Sequence, residues 1–213
     1  MRVCEIFTSI QGESTHAGLP CTFIRLTGCN LRCLYCDTTY AYEDGEDYTI
    51  DSLVDEAVRA GAAMVEVTGG EPLEQEETPA LLKALLDNGF FKNVLLETNG
   101  SRDISVLDAR AIVIMDIKTP GSGEAGSFDL HNIDMLKPSD EVKFVLTDRE
   151  DYEWARSFLQ KHDTLIEKEV LLSPAFGALE PEELSGWILE DGLSVRLGLQ
   201  IHKYIFGPDR RGC

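Results

Sequence analysis

The sequence predicts an α/β fold whose parallel sheet curls into an incomplete β/α barrel, and three observations predict it. Seven apolar runs of strand length recur along the chain, rich in Val, Ile and Leu without strict polar alternation, as in strands buried on both faces. Helical patterns separate most of them, the order that builds a parallel sheet. Polar or glycine-rich residues stand repeatedly where a run ends, and a parallel barrel gathers such ends on one face. Seven strands fall short of the eight of a closed barrel, so closure is not expected. An open doubly wound sheet is the alternative.

The first strand is expected over residues 21–27. A helix over 52–60, opened by Asp51, stops at Gly61, and a strand follows over 64–68. Thr78 opens a helix over 79–88 that stops at Gly89, and strands follow over 93–98 and 111–117. Residues 119–130, with Gly121, Gly123 and Gly126, read as a flexible loop. A strand over 141–146 leads into a helix over 149–161 carrying Tyr152, Trp154, Ala155 and Phe158. The strand over 169–172 is followed by a helix over 180–189, with Pro181 in its first turn and Gly192 beyond its end. A last strand is expected over 195–201, and residues 207–213 read as an irregular tail. No linker divides the chain, so residues 1–213 are expected to form a single domain.

The formal net charge of −19 opposes non-specific binding to nucleic acid or to an anionic membrane surface. No apolar run is long enough to span a bilayer, and the opening residues show no apolar stretch leading to a cleavage site. Six cysteines stand at positions 4, 21, 29, 33, 36 and 213, clustered rather than spread as a disulfide framework. A reducing cytoplasm and metal binding are therefore expected. Cys4 and Cys21 lie in apolar, strand-like segments and read as buried small hydrophobes.

Cys29, Cys33 and Cys36 carry the chemistry. Their Cys-x3-Cys-x2-Cys spacing offers three thiolates, one fewer than zinc or an electron-transfer cluster usually takes from the protein. A zinc site completed by His16 or His131 is the alternative, although neither has finger-like spacing. Thr68-Gly69-Gly70-Glu71-Pro72 ends the next strand, where the glycines allow close backbone approach and Glu71 accepts from a cation.

These two motifs, with Tyr35 before the last cysteine, resemble the radical S-adenosylmethionine superfamily. The resemblance implies a four-iron, four-sulfur cluster on Cys29, Cys33 and Cys36, with S-adenosylmethionine on the fourth iron. It further implies a 5′-deoxyadenosyl radical as the agent of the chemistry. Ile6-Phe7-Thr8-Ser9-Ile10-Gln11-Gly12-Glu13, Phe23 to Leu31, Cys36-Asp37-Thr38 and Gln200-Ile201-His202-Lys203 narrow the likeness. Together they resemble the 7-carboxy-7-deazaguanine synthases of deazapurine and queuosine biosynthesis, over nearly the whole chain.

That family implies a ring contraction of 6-carboxy-5,6,7,8-tetrahydropterin with loss of ammonia. The expected substrate contacts are Ile10, Gln11, Gly12, Glu13, Arg25, Thr68, His202 and Cys213. Arg25 offers a planar fork for a carboxylate, and Gln11 can read a donor/acceptor edge. An ion pair at the barrel mouth is the other reading of Arg25, a strand-ending turn that of Gln11. The expected cofactor contacts are Tyr35, Cys36, Asp37, Gly70, Glu71, Asn99, Asp116, Lys118, Ser173, Pro174, Ala175 and Phe176. Glu97 is a candidate support for them. In the family, the position of Thr38 ligates Mg²⁺, which suits an oxygen-seeking ion; an ordinary helix cap is its other reading. The resemblance also implies an electron donor such as flavodoxin or ferredoxin, and a homodimer. Two other functions share the cysteine motif: an activase that installs a glycyl radical on a partner protein, and a non-catalytic electron-transfer protein. The latter needs a fourth ligand from Cys4, Cys21 or Cys213.

Overall fold

The computed structural model describes residues 1–208 and 210–212. Nine strands form one sheet: β1 (Arg2–Ile10), β2 (Pro20–Leu26), β3 (Glu46–Asp47), β4 (Met64–Gly69), β5 (Asn93–Thr98), β6 (Ile112–Asp116), β7 (Glu141–Leu146), β8 (Glu169–Pro174) and β9 (Arg196–Leu197). Their spatial order is β3-β1-β2-β4-β5-β6-β7-β8-β9. From β2 to β9 every neighbouring pair is parallel. β1 pairs antiparallel with both β2 and β3. The sheet ends at β3 and β9 without closing, which is the incomplete barrel expected.

The helices are α1 (Ile50–Ala60), α2 (Thr78–Asn88), α3 (His131–Met135), α4 (Arg149–Lys161), α5 (Pro181–Asp191) and α6 (Ile201–Phe206). Thr49, not Asp51, caps α1: its side chain accepts from the Ser52 backbone and Ser52 answers with its own hydroxyl. Asp148 caps α4 by accepting from Asp151 N. Gly61, Gly89 and Gly192 end α1, α2 and α5 in the left-handed region, as the sequence indicates. Among the described residues no helix is long and apolar enough to cross a membrane.

The parallel strands are buried on both faces, as expected, but the two faces differ in character. Val65, Val67, Val94 and Leu96 pack with Leu53 of α1 and Leu81 and Leu85 of α2. Val113, Met115, Phe144 and Leu172 pack with Tyr152 and Phe158 of α4 and Leu184 of α5. The residues between them point to the other face. There Cys21, Met64, Leu95 and Ile114 form a small apolar plug. Farther along the same strands that face carries Arg25, Glu66, Glu97, Asp116 and Lys143. Helices thus cover one face, and the other lines a polar interior open toward the C-terminal strand ends.

The elements depart from the expected list, or add to it, at three places. Residues 2–10, where the sequence indicates only a strand-like segment around Cys4, form a full strand. Strand β9 has only Arg196 and Leu197, and Ile201 and His202 lie in a helix rather than at a strand end. The segment after Lys118 contains a 3₁₀ turn at Pro120–Ser122 and leads into α3.

Candidate active site

A cavity of about 410 Å³ opens at the C-terminal ends of the parallel strands. That volume is in the range of small-molecule sites. Its wall includes Cys29, Cys33, Tyr35 and Cys36 from the loop after β2, Gly69 and Gly70 after β4, and Asn99 after β5. The three cysteines are free and partly exposed. Burial pushes the Cys29 and Cys33 thiols above their usual value, and bound iron reverses such a shift by holding the thiolate. Among the described residues no three His, Cys, Asp or Glu side chains gather closely enough for a single metal ion. In an iron–sulfur cluster each thiolate takes its own iron, so that gathering is not needed.

Gly70 packs directly beneath the cysteine loop: a Cβ there would stand 2.6 Å from Cys29 Cβ. Glu71 does not face a ligand as expected. It is fully buried, accepting from Leu73 N (2.9 Å), Thr98 Oγ1 (2.8 Å) and Asn99 N (2.7 Å). It thereby fixes Asn99, which does reach the cavity and donates to Asn30 Oδ1 at 3.1 Å. Lys118 pairs with Asp116 Oδ2 at 2.8 Å and lies 5.8 Å from the Tyr35 ring centre. Asp116 Oδ1 and Tyr35 Oη are buried without a partner among the described residues, which leaves polar atoms beside the cysteine loop for a ligand. Ala175 and Phe176 line the cavity after β8. Ser173 lies buried outside it, and Pro174 faces a smaller hollow, so neither is a wall residue as expected.

Charge crowds the cavity floor. Lys143, with its side chain 3% exposed, pairs with Glu13 Oε2 at 3.0 Å, with Glu97, and with Asp116 Oδ2 at 3.5 Å. Burial would pull its ammonium down, but Glu13, Glu97 and Asp116 outweigh burial and hold it well above its usual value. Burial would likewise raise Glu13, yet Lys143 dominates and holds its carboxyl below the usual range. Glu66 forms no ion pair among the described residues: burial, reinforced by Glu97, outweighs Gln11 and the more distant Lys143 and pushes it up to about 8. Gln11 Nε2 donates to Glu66 at 3.2 Å while Gln11 Oε1 accepts from Glu13 N and Ser14 N. Much of the Gln11 amide is therefore spent on the floor itself.

Around the rim, Ile10, Gly12, Thr68 and His202, all expected substrate contacts, line the cavity. Thr68 donates to Glu97 Oε2 at 3.2 Å. A Cβ on Gly12 would collide with His202 Nδ1, so this glycine lets His202 close over the floor. Arg25 gives its Nε to Glu5 Oε1 at 2.8 Å and is a wall residue of the cavity. Thr38 precedes the 3₁₀ turn Thr39–Tyr42 but its hydroxyl does not cap it. It donates instead to Asp37 Oδ1 at 2.8 Å and lines the cavity. Lys203 Nζ lies 2.5 Å from Asp37 Oδ2 and holds that carboxyl below its usual value against the effect of burial. Cys213 lies outside the described residues. Glu66 and Lys143 were missed, although a charge inside an apolar strand run was the available signal: Val65-Glu66-Val67 and Val142-Lys143-Phe144.

Residues 23–117 match the family model of the radical SAM superfamily. A protein of Koribacter versatilis named 7-carboxy-7-deazaguanine synthase is 43% identical over 227 aligned positions, covering 100% of both chains. One of the same name from Chlorobaculum tepidum is 46% identical, covering 100% of this chain and 97% of its own. The crystal structure of QueE from Escherichia coli superposes with a TM-score of 0.78 at 22% identity over 93% of each chain, a likeness of fold.

Proposed function

The chain belongs to the 7-carboxy-7-deazaguanine synthases of the radical SAM superfamily, and from that premise we propose that it contracts 6-carboxy-5,6,7,8-tetrahydropterin to 7-carboxy-7-deazaguanine with release of ammonia. The observation that carries this reading is that the cysteine loop and Arg25 open on one cavity with a charged floor. The full-length relatives favour ring contraction over the activase reading.

Cys29, Cys33 and Cys36 would hold a four-iron, four-sulfur cluster with one iron left for S-adenosylmethionine. Bound together, these groups supply one electron and the agent that removes a hydrogen atom from the substrate. The chain orients everything else. Gly69 and Gly70 let backbone carbonyls approach an ammonium, while Asn99, Asp116, Ala175 and Phe176 enclose the nucleoside end. The unpartnered Asp116 Oδ1 suits a ribose hydroxyl. Arg25 has only its Nε bonded among the described residues, which leaves its terminal nitrogens for the substrate carboxylate. Lys143 keeps Glu13 as an acceptor, whereas Glu66 retains a proton and offers an O–H donor at neutral pH. Donors and acceptors on one floor suit the mixed edge of a pterin. The Thr38 hydroxyl, free of a capping role, would ligate Mg²⁺.

The electron would come from a donor of flavodoxin or ferredoxin type. Free cysteines at 4, 21, 29, 33 and 36 fit a reducing cytoplasm, and the assembly we assign is a homodimer. Anaerobic incubation of the reconstituted protein with the carboxy-tetrahydropterin, S-adenosylmethionine, dithionite and Mg²⁺ tests the reaction. Deazaguanine product by mass, with ammonia released alongside it, supports it. A glycyl radical on a partner protein, with no such product, favours the activase.

A further inference from the structure

Glu5, which no motif singled out, joins three separate parts of the site. Its Oε1 accepts from Arg25 Nε at 2.8 Å and from Tyr40 Oη at 2.9 Å. Its Oε2 accepts from Arg211 Nε at 3.3 Å. Arg25 comes from β2 and lines the cavity. Tyr40 lies in the 3₁₀ turn that follows Thr38. Arg211 belongs to the C-terminal tail, whose Pro208 is also a wall residue of the cavity. The Glu5 side chain is only 14% exposed and that of Arg25 only 16%, so their pair is largely desolvated, and the half-exposed Arg211 meets it from the solvent side.

Arg211 is fastened by more than one contact. Its guanidinium carbon lies 3.9 Å from the Tyr40 ring centre, and its Nη2 donates to Cys4 Sγ at 3.4 Å. Its Nη1 lies 3.5 Å from Asp44 Oδ2. The stacked ring and the shared carboxylate make one unit of the tail, the turn and the arginine.

We propose that Glu5 is a positioning residue that couples docking of the C-terminal tail, through Arg211, to the setting of Arg25 for the substrate carboxylate. The proposal rests on the assignment of Arg25 to that carboxylate. Glu5 leaves both terminal nitrogens of Arg25 unbonded among the described residues, so it aims the fork without occupying it. Two groups that share one carboxylate are ordered together: fixing either lowers the entropy cost of fixing the other. Linkage then requires that substrate binding order the tail and that a docked tail tighten substrate binding.

Two readouts on the holoenzyme test this. The first is hydrogen exchange, with and without S-adenosylmethionine and substrate. In the wild type, substrate slows exchange in the tail and in residues 39–42 together; in Arg211→Ala the tail loses that response. The second is kinetics. Arg211→Ala raises KM about two- to fivefold, the weight of a half-exposed ion pair, with kcat changed far less. Arg211→Lys recovers part of the loss. Glu5→Gln speeds exchange in the tail and the turn at once, and Arg211→Ala serves alone if Glu5→Gln fails to fold. A wild-type KM in Arg211→Ala, or a turn that loosens while the tail does not, overturns the proposal. If the wild type turns over no carboxy-tetrahydropterin, the assigned reaction fails, and exchange in the substrate-free holoenzyme still decides the coupling: tail and turn must loosen together in Arg211→Ala.

Discussion

Gly70 and Cys29 are packed so closely that a Cβ on Gly70 would stand 2.6 Å from the Cβ of Cys29, with the Gly28 carbonyl nearer still. Backbone is among the obstacles, so no rotamer relieves the collision. Gly70→Ala should therefore displace the cysteine loop, at an overpacking cost of about 1–3 kcal/mol. We expect about tenfold weaker S-adenosylmethionine binding, in a spectroscopic titration of the reconstituted protein, together with lower iron content. Full iron loading with unchanged affinity would show that the loop accommodates the methyl.

Lys143 is the cation that makes the floor tolerable. Without it Glu13 and Glu97, each only a quarter exposed, lose the ammonium they share, and Asp116 is left to Lys118. Lys143→Met should cost about 3–5 kcal/mol, as uncompensated buried charges do. Denaturant unfolding monitored by circular dichroism should show the loss as a lower midpoint.

Glu66 makes stability depend on pH in an unusual direction for a carboxylate. Its folded value of about 8 stands above the ordinary 4.5, so between those values the folded chain keeps a proton that the unfolded chain has released. Stability must then fall as pH rises through that window and flatten above it. Glu13, which is lowered, contributes stability present above 4.5 and lost in acid, and Lys143, which is raised, stability present below 10.5 and lost in strong base. Neither slopes within the window. Glu66→Gln keeps an acceptor for Gln11 and cannot ionise, so its melting temperature should vary less than that of the wild type from pH 5 to pH 8. Glu71, also raised by burial, leaves a residual slope in both proteins.

The Thr38 hydroxyl supplies a test of the magnesium assignment. Mg²⁺ removal by chelation should raise KM for the carboxylated substrate about tenfold in the wild type. Thr38→Ala should start from that raised value and respond little to added Mg²⁺, whereas Thr38→Ser should resemble the wild type. Equal magnesium responses in all three proteins would move the ion elsewhere.

Much of this site was legible because its residues stand at strand ends, where a parallel sheet must bring them together. Cys29, Gly70, Asn99 and Asp116 are far apart in sequence and share one cavity for that reason. Interior residues were harder to see. Glu66 and Lys143 sit in runs that read as apolar strands, and only the alternation of Val65 and Val67 against Glu66 reveals which face they occupy. Strand β1 showed only as a strand-like segment around Cys4, because Arg2–Ile10 pairs antiparallel with β2 and stands outside the parallel strand-helix repeat. The apolar stretch near Ile201 fits strand and helix equally by composition, and the structure makes it α6. Glu71 shows a different limit: its position beside Gly70 suggests a ligand contact, yet backbone amides consume its carboxylate. The partners of Glu5 lie on β2, on the turn after Thr38 and in the tail, a convergence that no local spacing encodes.

The central claim is that this cavity performs catalytic ring contraction. The most direct measurement is product yield when the carboxy-tetrahydropterin greatly exceeds S-adenosylmethionine, with dithionite, Mg²⁺ and a fully loaded cluster. The account predicts 7-carboxy-7-deazaguanine in excess of the S-adenosylmethionine supplied, because the cofactor is regenerated. Absence of the product, or a yield capped at one per S-adenosylmethionine consumed, would contradict it.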